Sequence, residues 1–277
     1  MWAFLRSVRT NPIYLREQGR WGEPNRYYAT MMRYLPLVLL LILGLSVFCG
    51  YGQLTTLLGL GDAGGALFAL ICIPNIIIQM ITWVGIIIAP ALTAPSIVEE
   101  LDRGSWDILR LTPMPTTHII FAKLLGGLSR LRIWIILLIT SVIYAAAVGL
   151  GSIFLLESTV GGGGLGWGLT TIVMTLIRPW VEIGFAGLAG LTLSLWTHSA
   201  RAALIGSYAL VLVYRIILAP VAWGVTAALL VDNGFEAAAF GAGTLAINVL
   251  YLITGFFLAL ALRRRAKALD AGESVYE

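Results

Sequence analysis

Residues 66–92 read ALFALICIPNIIIQMITWVGIIIAPAL and contain no charged side chain. About 20 apolar helical residues cross the roughly 30 Å hydrocarbon core of a bilayer, so this stretch predicts a membrane span. The segment 96–123 follows it and reads SIVEELDRGSWDILRLTPMPTTHIIFAK. Charged side chains are costly inside a bilayer, so the chain is expected to leave the membrane here. A soluble partner would meet the protein at this polar segment.

The chain as a whole is also strongly apolar. Of 277 residues, 59% are hydrophobic and 12% are charged, whereas a soluble domain has about 25% charged residues. Backbone groups in lipid need internal hydrogen bonds, so the apolar runs predict helices. We therefore expect an all-α integral membrane protein, a single transmembrane domain over 1–277. The approximate spans are 33–50, 66–92, 132–150, 168–196, 202–231 and 239–262.

Basic residues are distributed on one predicted side of the membrane. Of the 18 Lys and Arg residues, only Arg178 and Arg215 lie within spans away from their first and last residues, and the loops around Gly61, Gly163 and Asn233 have none. The positive-inside rule then makes both termini cytoplasmic in a multi-pass protein of the inner or plasma membrane. The spread of basic residues beside the spans favours contact with anionic lipids over binding of nucleic acid.

The segments outside the predicted six-span bundle, 33–262, are amphipathic or charged. Residues 1–32 mix aromatic and charged side chains, which is typical of an interfacial helix lying on the membrane. Pro12 suits the first position of such a helix. Residues 263–277 are expected to form a cytoplasmic tail.

The polar segment itself has helix signals. Ser96 with Glu99 three residues later resembles a capping box. The apolar residues of 96–111 lie near one helical face, which predicts one amphipathic helix or a pair of short helices. Gly104 would break or bend the helix, and Pro113 would end it.

After Pro113, Thr116 or Thr117 is expected to cap a helix that runs through Lys123 into the third span. Trp106 is a large aromatic among charged residues and needs an apolar environment, either the membrane interface or a partner's pocket. Two interpretations stay open: a solvated connecting loop, or a rigid cytoplasmic helix that docks into a partner.

Two motifs resemble the permease subunits of type-2 ATP-binding-cassette exporters. The family pattern S-I-x-x-E-R-E-x-G-T-x-E-x-L, followed by L-x-T-P-L and a Gly-Lys pair, is matched at Ser96, Ile97, Glu100, Asp102, Gly104, Ser105, Asp107, Leu109, Leu111, Thr112, Pro113, Met114 and Lys123. The opening motif N-P-I/V-x-x-R-E is matched at Asn11, Pro12, Ile13, Arg16 and Glu17. Leu101 stands where the family has Arg, and Ala122 replaces the Gly before Lys123.

The resemblance implies a division of labour between chains. A separate cytoplasmic ATPase would bind ATP and Mg, and two permeases, identical or homologous, would pair with two ATPases. Residues Asn11, Pro12, Arg16 and Glu17 would belong to an elbow helix. The coupling helix between the second and third spans would contact the ATPase through Glu99, Glu100, Asp102, Gly104, Trp106, Asp107, Leu109, Thr112 and Pro113.

Charged residues within the spans form the other candidate site. Arg178 and Glu182 are one helical turn apart and can pair. Arg215 lies mid-span and needs a partner, for which Glu182 is the candidate. We expect a network of these three residues near the outer half of the bundle. It would be either a substrate or gating site, or a cluster that locks helices together.

No catalytic or metal-binding pattern is evident in the sequence. His118 and His198 lie alone at span boundaries, and Cys49 and Cys72 are expected to be buried apolar residues. The small residues of the fourth span predict close helix packing, within the chain or at a dimer seam. The predicted function is ATPase-driven export, with a non-transporting membrane scaffold or assembly subunit as the alternative. Lipids, hydrophobic drugs, peptides and small ions all remain as substrate classes.

Overall fold

The computed structural model of the chain is all-helical over the residues that it describes, with no strand among them. The described residues are 12–15, 30, 33–34, 37, 73–102, 104, 106, 115–131, 133–135, 137–146, 164–197, 199–232 and 236–270.

Nine α-helices and one π-helical turn are described here in chain order. The helices are α1 Pro12–Leu15, α2 Ile73–Thr93, α3 Pro95–Asp102, α4 Thr116–Ser129, α5 Leu137–Ala146, α6 Gly164–Ser194, α7 Ala200–Val213, α8 Ala219–Asp232 and α9 Glu236–Asp270. The π-helical turn, Tyr214–Leu218, joins α7 to α8 into one continuous rod.

Four described helical stretches are long and apolar enough to cross a membrane, which suggests a membrane-embedded protein. They are Asn75–Leu101, Leu165–Ser194, Ala200–Val231 and Gly241–Ala268. They correspond to the second, fourth, fifth and sixth predicted spans. The predicted first span lies almost entirely outside the described residues, and α5 represents the third as a shorter apolar helix. The count of six spans stays a prediction.

Helix α6 lies at the centre and packs against α2, α7 and α9. The main apolar core forms there, around buried Ile88, Ile183, Ala186 and Tyr251. Elsewhere the helices present large apolar side chains outward, such as Phe256 on α9. Outward apolar faces are what a helix bundle needs in a hydrocarbon solvent.

The small residues of α6 make contacts within the chain. A Cβ added at Gly190 would lie 3.1 Å from the backbone Cα of Pro90, and one at Gly187 would lie 2.8 Å from Leu128. A Cβ at Gly184 would meet nothing within 4 Å. Gly187 and Gly190 are therefore small because α4 and α2 approach closely, which agrees with packing inside one chain.

A second core closes one end of the bundle, and we call it the end cluster. It joins α1, the polar segment, α4 and the carboxyl-terminal ends of α6 and α9 through the buried residues Ile13, Ile97, Trp106, Ile119, Ile120, Ala122, Leu124, Leu188, Leu191, Leu195, Leu262 and Ala266. All these elements were predicted to lie on the cytoplasmic side. Their convergence at one end agrees with a shared side, although the side of the membrane stays a prediction.

The described part of the predicted cytoplasmic tail departs from expectation. Helix α9 continues past the end of the sixth span to Asp270, which adds roughly 12 Å at 1.5 Å per residue. Leu262 and Ala266, one turn apart, are buried in the end cluster, while Arg263 and Arg264 are exposed. Residues 263–270 are therefore part of the folded bundle.

Local details of the polar segment also differ from expectation. Ser96 does not cap a helix start: its hydroxyl donates to the Thr93 carbonyl at 2.7 Å, because α3 continues α2 after a break of one residue. Gly104 does end α3, with φ of 66° and its N–H donating to the Leu101 carbonyl at 3.0 Å. This positive φ is the usual glycine ending of a helix. Trp106 has helical backbone geometry, and the choice between one helix and a pair of short helices stays a prediction.

The helix after the polar segment starts without a threonine cap. Pro115 occupies the N-cap position of α4, where no side-chain hydrogen bond is made, and Thr116 is the first helical residue. The helix stops at Ser129 and does not run on into the third span. The Leu128 carbonyl at this helix end accepts from the Trp134 indole at 2.9 Å and from the Leu131 N–H at 3.2 Å.

Candidate functional site

The three charged residues predicted within the spans do meet. Arg178 Nε donates to Glu182 Oε1 at 2.8 Å along one turn of α6. Arg215, on the π-helical turn, donates from Nη1 to the other carboxylate oxygen, Oε2. The Glu182 side chain is 2% exposed and that of Arg215 is 8% exposed, so this ion pair is buried. One carboxylate thus joins two guanidinium groups, and we call these residues the charge network.

The network was predicted near the outer half of the bundle, and its depth in a membrane stays a prediction. Arg178 and Glu182 are near the middle of the Leu165–Ser194 span, and Arg215 is near the middle of the Ala200–Val231 span. Charges at this depth carry the largest insertion cost, which explains why each has a partner.

Two further residues, both on α2, support Arg215. Its Nη2 donates to Gln79 Oε1 at 2.7 Å, and its guanidinium carbon lies 4.4 Å from the centre of a Trp83 ring. A cation over an aromatic face is stabilised by the ring quadrupole. The charge network therefore connects α2, α6 and the α7–α8 rod. Sequence reasoning missed Gln79, although an amide in an otherwise apolar span is itself a signal of an interhelical hydrogen bond.

The π-helical turn has a local cause. The N–H of Ala219 donates to the Tyr214 carbonyl five residues earlier. Pro220 follows and has no N–H, so it cannot bond the carbonyl of Ile216 as a regular helix requires. Single π turns occur frequently at functional sites. Arg215 lies within this wider turn.

A polar cavity of about 70 Å³ adjoins the network between α2, α5, α6 and α9. Most of its lining residues carry a group that can form hydrogen bonds. The lining residues are Ile78, Gln79, Thr82, Tyr144, Thr175, Arg178, Pro179, Glu182 and Thr244. Of the charge network, Arg178 and Glu182 line this cavity.

In the predicted coupling segment, the structure links three residues of the family motif. Lys123 Nζ lies 2.7 Å from Glu100 Oε2 and donates to the Ser96 carbonyl at 3.0 Å. The Lys123 side chain is almost fully buried. The ion pair and the hydrogen bond, which spans 27 residues of sequence, therefore fix α4 to α3. Ala122, which replaces the family's Gly, is fully buried beside it.

The expected environment of Trp106 was wrong. Its side chain is 2% exposed and packs in the end cluster with Ile13, Ile97 and Leu262. The indole thus finds its apolar environment inside this chain, because α1, α4 and α9 converge beneath the polar segment. Trp106 supports the position of the segment and is not an exposed anchor for a partner.

The remaining predicted residues of the elbow and coupling segments are described in part. Glu99 is half-buried on α3, Gly104 is exposed, and Pro12 begins α1. For Asp102 only the backbone is described. The residues outside the described part of the chain are Asn11, Arg16, Glu17, Asp107, Leu109, Thr112 and Pro113. Their coupling or elbow roles stay predictions.

The chemistry available at the charge network is binding by charge and hydrogen bonds. Within the described part of the chain, no group of three or more His, Cys, Asp or Glu side chains could hold a metal ion. His118 lies on α4, and His198, Cys49 and Cys72 fall outside the described residues. The network offers guanidinium donors and one carboxylate around a cavity, which suits ligand binding or helix locking.

Comparison of the chain with protein-family models, curated proteins and solved structures gave no match in any of the three.

Proposed function

We propose that the chain is the transmembrane permease subunit of an ATP-binding-cassette exporter. Two copies, or one copy and a homologue, would pair with two cytoplasmic ATPase subunits, and ATP hydrolysis there would drive transport through the permeases. The observation that supports the proposal is the meeting of the two motifs that resemble the family. Ile13 of the opening motif and Ile97 of the second motif are buried in one cluster.

The ion pair of the second motif holds α3 and α4 together. Lys123 contacts both Ser96 and Glu100. A buried lysine is costly unless it is paired, so its presence indicates that the arrangement of α3 and α4 must be kept. A coupling element needs this rigidity, because a flexible loop would absorb the movement of the ATPase.

The connection between α3 and the charge network offers a path for coupling. Helices α2 and α3 form the nearly continuous stretch Asn75–Leu101. Gln79 and Trp83 lie on the same stretch and contact Arg215. A displacement of α3 by the ATPase would therefore move the α2 side of the network against Glu182.

Co-purification tests the proposal most directly. The tagged full chain, extracted from its own membranes in mild detergent, should retain a protein with nucleotide-binding motifs and ATPase activity. A chain that is stable and alone under these conditions would count against the exporter. A neighbouring gene that encodes such an ATPase would be supporting information.

Charge changes on α3 test the docking role once the complex is isolated. Glu99→Lys should preserve the complex and its basal ATPase rate but uncouple hydrolysis from transport. Reversal of Glu100 is a poorer probe, because loss of the Lys123 pair would disturb the fold. Glu100→Gln serves instead as the packing control. Unchanged coupling in Glu99→Lys would refute docking at this face.

The alternative function, a non-transporting membrane scaffold, is favoured by one observation. The charge network ties three helical elements together at mid-membrane, and Glu182 and Arg215 are nearly fully buried. A locked bundle of this kind suits an assembly subunit that does not move. Such a subunit would co-purify with its complex but would leave any ATPase rate unchanged.

A further inference from the structure

The charge network contains one more positive charge than negative. Arg178 and Arg215 each carry a guanidinium, while Glu182 supplies the one carboxylate bonded to both. An unbalanced charge within a span is costly, and such charges pair with one another or mark the path of an ion or substrate. The countercharge for this surplus must therefore come from outside the charge network.

The surplus falls on Arg178. Arg215 is almost fully buried and already has Glu182, Gln79 and the Trp83 ring as partners. Arg178 makes the Nε bond to Glu182 and is 32% exposed. Within the described residues its two Nη groups have no partner. A guanidinium presents five donors in a planar fork, so Arg178 retains donors suited to an oxyanion.

A hydroxyl close to Arg178 also has no partner among the described residues. Thr82 and Thr244 line the same cavity but donate to the carbonyls of Ile78 at 2.7 Å and Gly241 at 2.8 Å. Thr175 lies three residues before Arg178 on α6, lines the cavity, and makes no hydrogen bond among the described residues. A donor pair of guanidinium and hydroxyl thus faces one small volume.

The size of the cavity limits what can enter it. A cavity of roughly 150 Å³ accommodates benzene, and this one has about 70 Å³. A carboxylate or phosphate group fits such a volume, whereas a complete drug-sized molecule does not. At mid-membrane depth, the remainder of the ligand would extend among apolar side chains or lipid.

We propose that this cavity binds the anionic oxygen group of an amphiphile, a carboxylate or a phosphate ester. The Nη groups of Arg178 supply the charge and Thr175 supplies a hydroxyl donor. The amphiphile is either a free molecule or a membrane lipid. The idea that it is transported rests on the proposed function, whereas its binding does not.

Binding is measured on the full chain alone, in micelles of the uncharged, phosphate-free detergent dodecyl maltoside, by calorimetric titration. Octanoate and octyl phosphate should bind, while octanol and octyltrimethylammonium should bind at least tenfold more weakly. Nanodiscs that contain phosphatidylglycerol identify the source: competition with octanoate indicates a lipid headgroup, and its absence indicates a free amphiphile. Equal binding of octanol and octanoate would overturn the proposal.

Variants locate the site. Arg178→Gln should weaken octanoate binding at least tenfold, because a charge-assisted contact is lost, and Arg178→Lys should retain most of it. Arg201→Gln, at an exposed arginine away from the cavity, is the matched control and should bind normally. Helical content from circular dichroism checks each fold. If Arg178→Gln does not fold, Thr175→Val decides: an affinity equal to wild type would contradict the assignment.

The experiment separates this inference from the proposed function. It contains no ATPase, so failure of octanoate to bind overturns the anion site only. Conversely, a chain that binds octanoate but never retains an ATPase would keep the site and lose the exporter.

Discussion

Replacement of Glu182 by Gln is expected to destabilise the folded chain by about 3 kcal/mol. Breaking a buried ion pair from one side typically costs about 3–5 kcal/mol. Glu182 is 2% exposed and pairs with both Arg178 and Arg215, so its loss leaves two cations facing each other. The low end of the range applies because Arg215 keeps its bond to Gln79 and its contact with Trp83.

Replacement of Arg215 by Gln should lower the free energy of unfolding by less than replacement of Glu182 does. Arg215→Gln lowers the positive charge of the network by one and leaves Glu182 paired with Arg178, so we expect a loss of about 1.5 kcal/mol. If the two changes were independent, the double variant would lose about 4.5 kcal/mol. Because the pair is coupled, we expect about 3 kcal/mol instead, a coupling within the range of contacting residues.

The free energy of unfolding in bicelles, measured by steric trapping, gives all three values. Two results would refute the claim that the buried ion pairs stabilise the fold. One is a loss below about 1 kcal/mol for Glu182→Gln, and the other is an Arg215→Gln variant that is less stable than Glu182→Gln. Arg215→Leu then separates the two roles of the network. Lost transport with normal assembly indicates a functional role, and failed assembly indicates a structural one.

Further predictions concern packing and the polar segment. Gly190→Ala should destabilise the bundle by about 1–3 kcal/mol, because its Cβ would contact the backbone of α2. Gly184→Ala on the same helix meets open space and should be neutral or stabilising in the same unfolding assay. Gly104→Ala should cost about 1 kcal/mol, because its φ of 66° disfavours a Cβ; Gly104→Asn, which tolerates this φ, should cost less. Lys123→Met should lower the thermal unfolding temperature. Addition of Glu100→Gln should restore part of the loss, since it removes the charge that Lys123 paired with.

Part of the candidate site could be predicted from the sequence. The turn-spaced pair of Arg178 and Glu182, and the need of Arg215 for an acid, follow from helix geometry and the cost of charge in lipid. The contact between Glu182 and Arg215 confirms that reasoning. Gln79 and Trp83 could not be assigned to Arg215 in advance, because which face α2 turns to its neighbours depends on packing.

For the polar segment, less could be predicted from the sequence. Its charge and its break at Gly104 are written in the sequence. The burial of Trp106 is not, because it depends on α1 and α9, which are distant in the chain, meeting beneath the segment. The capping expected of Ser96 failed for a related reason: α3 continues α2, and the hydroxyl serves the Thr93 carbonyl instead.

The sequence by itself determined the helical class and the four apolar stretches that the structure bears out. These properties follow from local composition, because transfer into lipid is a sum over residues. Tertiary structure alone decided that Lys123 joins Ser96 to Glu100, that α9 extends into the end cluster, and that Arg178 lies beside a cavity with donors that no described residue fills. Such features depend on the approach of distant helices, which no local pattern encodes.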